Sequence, residues 1–334
     1  MIEKPGQNLP LALTMGDPAG VGPELTARIW FERREKTVPP FLYIAAAGAF
    51  SHLKDAPPTV EVSSPREALD VFDRALPVQY SGSIQTPRPG VENPANAEAI
   101  IGSIKDAVRL TMDGETAAII TNPIFKAGLK ARGFEYSGHT DFLADILGLQ
   151  EAEAVMMLAG KGLRVAPLTH HLSLRDAIAQ VEADRIVHHA RIILGELETL
   201  FGIGKPRLAV AGLNPHAGEN GAFGDEEIRE ISPAVDILQK EGFDVTGPFP
   251  PDSLFAPHRR ASYDAVLCMY HDQALIPLKA LDFEDGVNIT LGLGMVRTSP
   301  VHGTAFGIAG QGIASPSSLR AALRMAARLS GSNQ

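Results

Sequence analysis

Ten histidines are spread over the 334 residues, and several follow directly on short apolar runs. "LRVAPLT" leads into His170 and His171, "PRLAVAGL" into "NPH" and His216, and "YDAVLCMY" into His271 and Asp272. His139 lies in a glycine-flanked turn, "SGHTDF". Neutral imidazole is the commonest transition-metal ligand, and three of them leave an open coordination position for a substrate. If the three runs are strands on one sheet edge, their ends converge and a metal site results. A histidine beside an aspartate also suits proton transfer, so an acid–base pair at His271 and Asp272 stands as the other reading. Neighbouring residues of a regular strand face opposite ways, so only one of His170 and His171 can ligate from such a strand. His188 and His189, inside a helical pattern, read as packing or solvent-facing residues.

Two glycine-rich stretches and a set of basic residues add further chemistry. "TMGDPAGVGPELTARIW" places Gly16, Gly20 and Gly22 after an apolar run, with Pro23 suited to the first turn of a helix. Backbone amides of such a turn can approach an anion or nucleotide closely. The stretch matches neither G-x-G-x-x-G nor the phosphate loop. "SPVHGTAFGIAGQGIASPSSL" (299–319) is lined with small residues, which would let backbone approach a flat ligand such as adenine. Lys279, Asn288 and Arg297 cluster around "GVNITLGL" and suit a phosphate, with ordinary surface ion pairs as the plainer alternative.

The elements that would position these groups alternate regularly. Buried strands are expected over 11–15, 41–47, 116–121, 163–169, 206–213, 263–270 and 286–293. Helical patterns fill "NAEAIIGSIKDAVRLTMDG", "ADRIVHHARIILGELETLFG" and "GDEEIREISPAVDILQKEG", each closed by a glycine. Such alternation implies an α/β fold with largely parallel sheets covered on both faces. The length exceeds one hydrophobic core, so two domains are expected, with a break near residue 130. The Pro- and Asn-rich segment 85–99 reads as a long surface loop or a connection between domains. A net charge of −9 argues against a sequence-wide nucleic-acid or anionic-membrane surface. No apolar run is long enough to span a bilayer, and "MIEKPGQNLPLALTM" is too short and polar for a signal peptide, so the expectation is a cytoplasmic protein. The single cysteine, Cys268, excludes an intrachain disulfide and reads as a small buried hydrophobe.

At "TMGDPAGVGPE", "TNPIFK", "GHTDFLA", "THHLSLRD", "GLNPHAGENG", "MYHDQALIPLK", "GVNITLGL" and "RTSPVHGTAFGIAG" the sequence resembles the 4-hydroxythreonine-4-phosphate dehydrogenase family of vitamin B6 biosynthesis. More distantly, "GDPAGVGPE" and "HGTAFGIAGQGIASP" are similar to patterns of isopropylmalate and isocitrate dehydrogenases, which bind their nucleotide without the Rossmann fingerprint. The resemblance implies two α/β/α domains of that type. A cofactor-side domain would comprise 1–130 and 300–334, and a metal, substrate and dimer-interface domain 131–299. It implies NAD- or NADP-dependent oxidation of 4-phosphooxy-L-threonine to 2-amino-3-oxo-4-phosphooxybutanoate, which decarboxylates to 3-amino-2-oxopropyl phosphate.

The resemblance further implies one divalent ion (zinc, magnesium, manganese or cobalt) on His171, His216 and His271, in a homodimer whose site is shared across the interface. Substrate would be held by His139, Thr140, Lys279, Asn288 and Arg297. The cofactor would lie along Gly303, Thr304, Ala305 and Gly310, near Gly16 and Asp17. Asp272, Asp252 and His139 become the candidate proton-handling groups. The chain departs from the family pattern at Asp141, where glutamate is usual, at His170, and at Gly307, where an acid is usual. A related dehydrogenase of threonate or erythronate phosphate would use the same site. A phosphate acyltransferase shares the general fold but has no need of three histidines.

Overall fold

The computed structural model describes residues 9–331 except 137, 151, 152, 161 and 283, so the first eight residues of the leader reading lie outside the described residues. In chain order the elements are β1 (Leu11–Thr14), α1 (Gly22–Phe31), β2 (Phe41–Ala47), β3 (Thr59–Glu61), α2 (Glu67–Val71), β4 (Leu76–Ser83), α3 (Ala97–Met112), β5 (Ile119–Ile120), α4 (Lys126–Lys130) and α5 (His139–Ile146). They continue with β6 (Val155–Gly160), β7 (Leu163–Pro167), α6 (Leu174–Ile178), α7 (Ala183–Thr199), β8 (Arg207–Ala211), α8 (Ser232–Lys240), β9 (Asp244–Phe249), α9 (Pro251–Leu254), β10 (Ala265–Cys268), α10 (His271–Leu281), β11 (Val287–Leu291), β12 (Arg297–Pro300) and α11 (Ser317–Ser330).

The chain divides into two compact units, residues 1–149 with 293–334, and residues 150–292. The first boundary falls later than the break expected near 130, because α4 and α5 cluster with the first unit. The second falls earlier than 299, because β12 pairs in parallel with β5.

In the first unit the strand order is β3-β4-β2-β1-β5-β12, with every pair parallel. Parallel strands covered on both faces have no polar side, and β2 is buried from Phe41 through Ala46. Helix α3 turns Ile100, Ile104, Ala107 and Val108 inward, the i, i+4, i+7, i+8 stripe of an amphipathic helix. Strand order reverses between β1 and β5, and ligands of open α/β sheets bind in the crevice at such a switch, outside the carboxyl ends of the strands.

In the second unit the order is β11-β6-β7-β10-β8-β9. Strands β7, β10, β8 and β9 are mutually parallel, while β6 pairs antiparallel with both β11 and β7. The parallel core places the carboxyl ends of β7, β10 and β8 side by side, about 5 Å from strand to strand. Cys268 is buried in β10, as expected for a small hydrophobe, and burial pushes its thiol pKa far up. His189 of α7 is buried and donates its Nδ1–H to the Arg185 carbonyl at 3.0 Å. Burial, reinforced by the Arg185 charge, lowers its pKa to about 4, which fits a packing role.

Candidate active site

Three neighbouring strand ends of the second unit carry the histidines. β7 ends at Pro167 and runs through Thr169 into His170 and His171; β10 ends at Cys268 and reaches His271; β8 ends at Ala211 and leads to His216. The first two ends are tied together: Leu168 N–H donates to the Cys268 carbonyl at 2.7 Å and Thr169 Oγ1 donates to the Met269 carbonyl at 2.9 Å. The rings of His171 and His271 then stand 6.2 Å apart, centroid to centroid. His170 meets His171 edge to face at 5.1 Å. His171 has left the strand and sits at φ 55°, so the alternation of a regular strand no longer governs where the two rings point.

His271 is the first residue of α10 rather than the tip of a strand. Its Nδ1–H donates to Asp272 Oδ1 at 2.6 Å, since a carboxylate can only accept. That bond leaves Nε2 as the ring's lone-pair nitrogen, the arrangement found in metal-binding histidines. Lys279 lies on the same helix, about 12 Å further along its axis at 1.5 Å per residue. Asn288 of β11 has a buried Oδ1 with no hydrogen-bond partner among the described residues.

The expected histidine triad is present as a pair plus one. Among the described residues no three His, Cys, Asp or Glu side chains gather closely enough to hold an ion. His216 begins a run of residues with positive φ, and its exposed ring lies 5.9 Å from that of Phe223. Asp252, at the start of α9, is exposed and accepts the Ser253 N–H at 2.9 Å.

The first unit carries the other candidates. Arg297 is 2% exposed in β12, and its Nη2 donates to Thr121 Oγ1 at 2.6 Å. Burial pushes its guanidinium pKa down to about 9. His139 opens α5 next to Thr140, with its Nε2 buried and without a hydrogen-bond partner among the described residues. Burial, then the positive charges of Arg297 and Lys126, hold its pKa well below the usual imidazole range. A buried cation set around an imidazole is a place that an anion would stabilise. Lys126, first residue of α4, belongs to this cluster and was not singled out from the sequence. Its one signal is position: "TNPIFK" follows β5 at the switch point.

The glycine turn also lies at that switch. A Cβ on Gly16, at φ 70°, would come within 2.6 Å of the Asn122 Cβ, so only glycine fits. Asp17 is 6% exposed, and its Oδ1 accepts the Ala19 N–H at 2.9 Å. Burial raises its pKa to about 6, opposed by that N–H and assisted by the Glu92 charge. The 302–312 loop is knit to the turn: Val21 N–H donates to the Thr304 carbonyl at 3.0 Å, and Gly310 N–H to Glu24 Oε2 at 2.7 Å. Ala305 adopts φ 48°, and a Cβ on Gly303 would meet open space. Two buried polar atoms, His302 Nε2 and Asn122 Oδ1, have no hydrogen-bond partner among the described residues.

A family model described as pyridoxal phosphate biosynthetic protein PdxA matches residues 41–326. The chain is 46% identical over 325 residues to the 4-hydroxythreonine-4-phosphate dehydrogenase of Zymomonas mobilis, with 97% of each chain covered. It is 48% identical over 324 residues to the enzyme of that name from Erythrobacter litoralis, with 95% of each covered. The solved 4-hydroxythreonine-4-phosphate dehydrogenase of Klebsiella pneumoniae superposes with a TM-score of 0.83 at 37% identity, covering 96% of this chain and 99% of that one.

Proposed function

The chain belongs to the PdxA family of pyridoxal phosphate biosynthetic proteins, and from that premise we propose that it oxidises the C3 hydroxyl of 4-phosphooxy-L-threonine with NAD or NADP. The product, 2-amino-3-oxo-4-phosphooxybutanoate, is a β-keto acid that loses carbon dioxide to give 3-amino-2-oxopropyl phosphate. The observation that carries this reading is the delivery of His171, His271 and His216 from three adjacent parallel strand ends, β7, β10 and β8.

The donor chemistry fits a divalent ion: neutral nitrogen ligands, with the Asp272 carboxylate on Nδ1 of His271 leaving Nε2 outward. His171, His216 and His271 would hold it in a homodimer. The glycine turn and the 302–312 loop, with the partnerless His302 Nε2 and Asn122 Oδ1, fit the nicotinamide dinucleotide. When bound, the ion lowers the pKa of the substrate hydroxyl, and the nicotinamide accepts the hydride.

The chain's own residues supply the rest. Within the first unit Arg297 and Lys126 are the cations suited to the substrate phosphate; within the second, Lys279 is the candidate. Anchoring at a group remote from C3 fixes orientation. His139 and Thr140 orient the neighbouring substrate atoms, and Asn288 Oδ1 offers an acceptor. The hydroxyl proton needs a base, and Asp272, Asp252 and His139 are the candidates. Burial, then Arg297 and Lys126, depress the His139 pKa, so a phosphate bound beside those cations would raise it. No helix among the described residues is long and apolar enough to cross a membrane.

The deciding experiment incubates purified enzyme with NAD or NADP and a series of substrates, following reduced nicotinamide by absorbance. Turnover of 4-phosphothreonine above threonate and erythronate phosphates is expected. A preference for either acid would move the assignment to the related dehydrogenase, and no reduction with any of them would overturn it.

A further inference from the structure

We propose that Glu227 is the positioning residue for His216: its buried carboxylate holds the β8 loop in the left-handed course that presents that imidazole. The inference rests on the functional role assigned to His216 above. Six consecutive residues, His216 to Gly221, have φ between 41° and 92°. Four of them are not glycine, and L-residues avoid this region because Cβ crowds the following carbonyl. Runs of this kind persist only where their surroundings impose them.

Glu227 is what surrounds the entry to the run. Its Oε1 accepts the backbone N–H of Leu213 at 2.8 Å and of Asn214 at 2.7 Å, and its Oε2 accepts Asn214 Nδ2 at 2.9 Å. Asn214 Nδ2 also donates to Glu226 Oε2 at 2.7 Å, which ties the loop to the same turn of chain twice. Two glycines of "GLNPHAGENGAFG", Gly212 and Gly218, pack against this carboxylate, and Gly224 packs against Asn214, which the carboxylate holds. A Cβ on Gly212 would stand 3.1 Å from Oε1 and one on Gly218 2.7 Å from Oε2, while one on Gly224 would stand 2.5 Å from Asn214 Nδ2.

Glu227 is 3% exposed, and the hydrogen bonds it accepts come from amide N–H groups rather than a lysine or arginine. A carboxylate buried on amides alone is a costly stabiliser, but it fixes the direction of each donor it accepts from. It opens the π-helical turn Glu227–Ile231, which runs on into α8, so the anchor is set in a rigid element. Turns of this type inside helices recur at functional sites.

The test is a four-way comparison in the full-length enzyme: wild type, Glu227→Gln, His216→Ala and the double variant. Three quantities are read: kcat and KM, Co²⁺ affinity of the metal-stripped protein by calorimetric titration, and Tm. The glutamine keeps the volume but offers an N–H₂ where an acceptor is needed. Glu227→Gln is expected to weaken Co²⁺ binding and lower kcat by about 10–100-fold, with little change in KM. In the His216→Ala background the same change should cost nothing further in Co²⁺ affinity or residual kcat, because the ring it positions is gone.

Losses that add fully in the double variant would make Glu227 a structural residue only, and wild-type behaviour of Glu227→Gln would also overturn the proposal. If His216→Ala alone keeps full activity and Co²⁺ affinity, the functional reading of His216 fails first and the inference with it. Should Glu227→Gln not fold, Glu227→Asp takes its place in the same cycle. It keeps the charge but withdraws the carboxylate by one methylene, and the same pattern of non-additive loss is required.

Discussion

Gln273 and Gly212 join two strand ends of the second unit through one buried side chain. Gln273 Nε2 donates to the Gly212 carbonyl at 2.7 Å, while its Oε1 accepts the Met269 N–H at 2.6 Å. Gln273 lies two residues past His271, and Gly212 four residues before His216, so the two histidine-bearing segments are fastened to one another. Gln273→Leu strips both partners. Each buried group left unpaired costs ~1–3 kcal/mol, so urea unfolding should register a loss of roughly 2–6 kcal/mol. Gln273→Glu retains the bond from Met269 but sets a buried carboxylate against the Gly212 carbonyl, so it should lose at least as much. Equal stability of all three proteins would show that the amide bridge is idle.

His171 is exposed and His271 partly exposed, both beyond the ends of their strands, where truncation usually changes stability by no more than about 0.5 kcal/mol. His171→Ala and His271→Ala should therefore fold and melt like the parent while losing dehydrogenase activity. Elemental analysis should find their divalent metal depleted. A His271→Ala protein that works fully after stripping with a chelator would refute the metal assignment.

Arg297 is fully buried, which alters what its removal should do. Arg297→Ala would leave a cavity, whereas Arg297→Met keeps most of the volume and removes a buried charge, a change that is often neutral or stabilising. A hydrogen bond to a charged group contributes ~1.5–3 kcal/mol, so KM for the phosphorylated substrate should rise about 10–100-fold in Arg297→Met. The urea midpoint should not fall. An unchanged KM would mean that the guanidinium serves the fold rather than the substrate.

Asp17 makes stability depend on pH. Its folded pKa of about 6 lies above the unfolded value of about 3.9, so the folded chain binds more protons between those limits. Unfolding free energy contributed by this group therefore falls as pH rises from about 4 to 6, by about 3 kcal/mol at most. Asp17→Asn keeps an oxygen for the Ala19 N–H and cannot ionise. It should stabilise the first unit at pH 8 and make little difference at pH 4. The single tryptophan, Trp30, lies buried in α1 of that unit and reports its unfolding by fluorescence. Equal midpoints for both proteins at pH 8 would contradict the raised pKa.

Sequence periodicity placed α3, α7 and the strands β1, β2, β5, β7, β8, β10 and β11, but not β4, β6 or β12. α3 and α7 fall on their amphipathic patterns, and β2, β7 and β11 on their apolar runs, because a side-chain period of 3.6 or an unbroken apolar run is a property of the local chain. The short strands β3 and β9 were not legible. Their exposed residues carry no apolar run, and pairing with β4 and β8 defines them. Helix α8 was read as part of one longer helix, but a π-helical turn occupies its first residues, with Glu227 anchored in the β8 loop.

The chemistry divides in the same way. Residue types after apolar runs singled out the segments carrying His170, His171, His216 and His271, and the motif resemblance narrowed the expected ligands to His171, His216 and His271 and gave the family. Tertiary structure alone decided that β10 inserts between β7 and β8, which makes the three histidine ends neighbours. It also decided that His216 stands apart on a left-handed loop, and that Lys126 joins Arg297 around His139. Strand order and burial are set by contacts between residues far apart in the chain, and no local pattern encodes them.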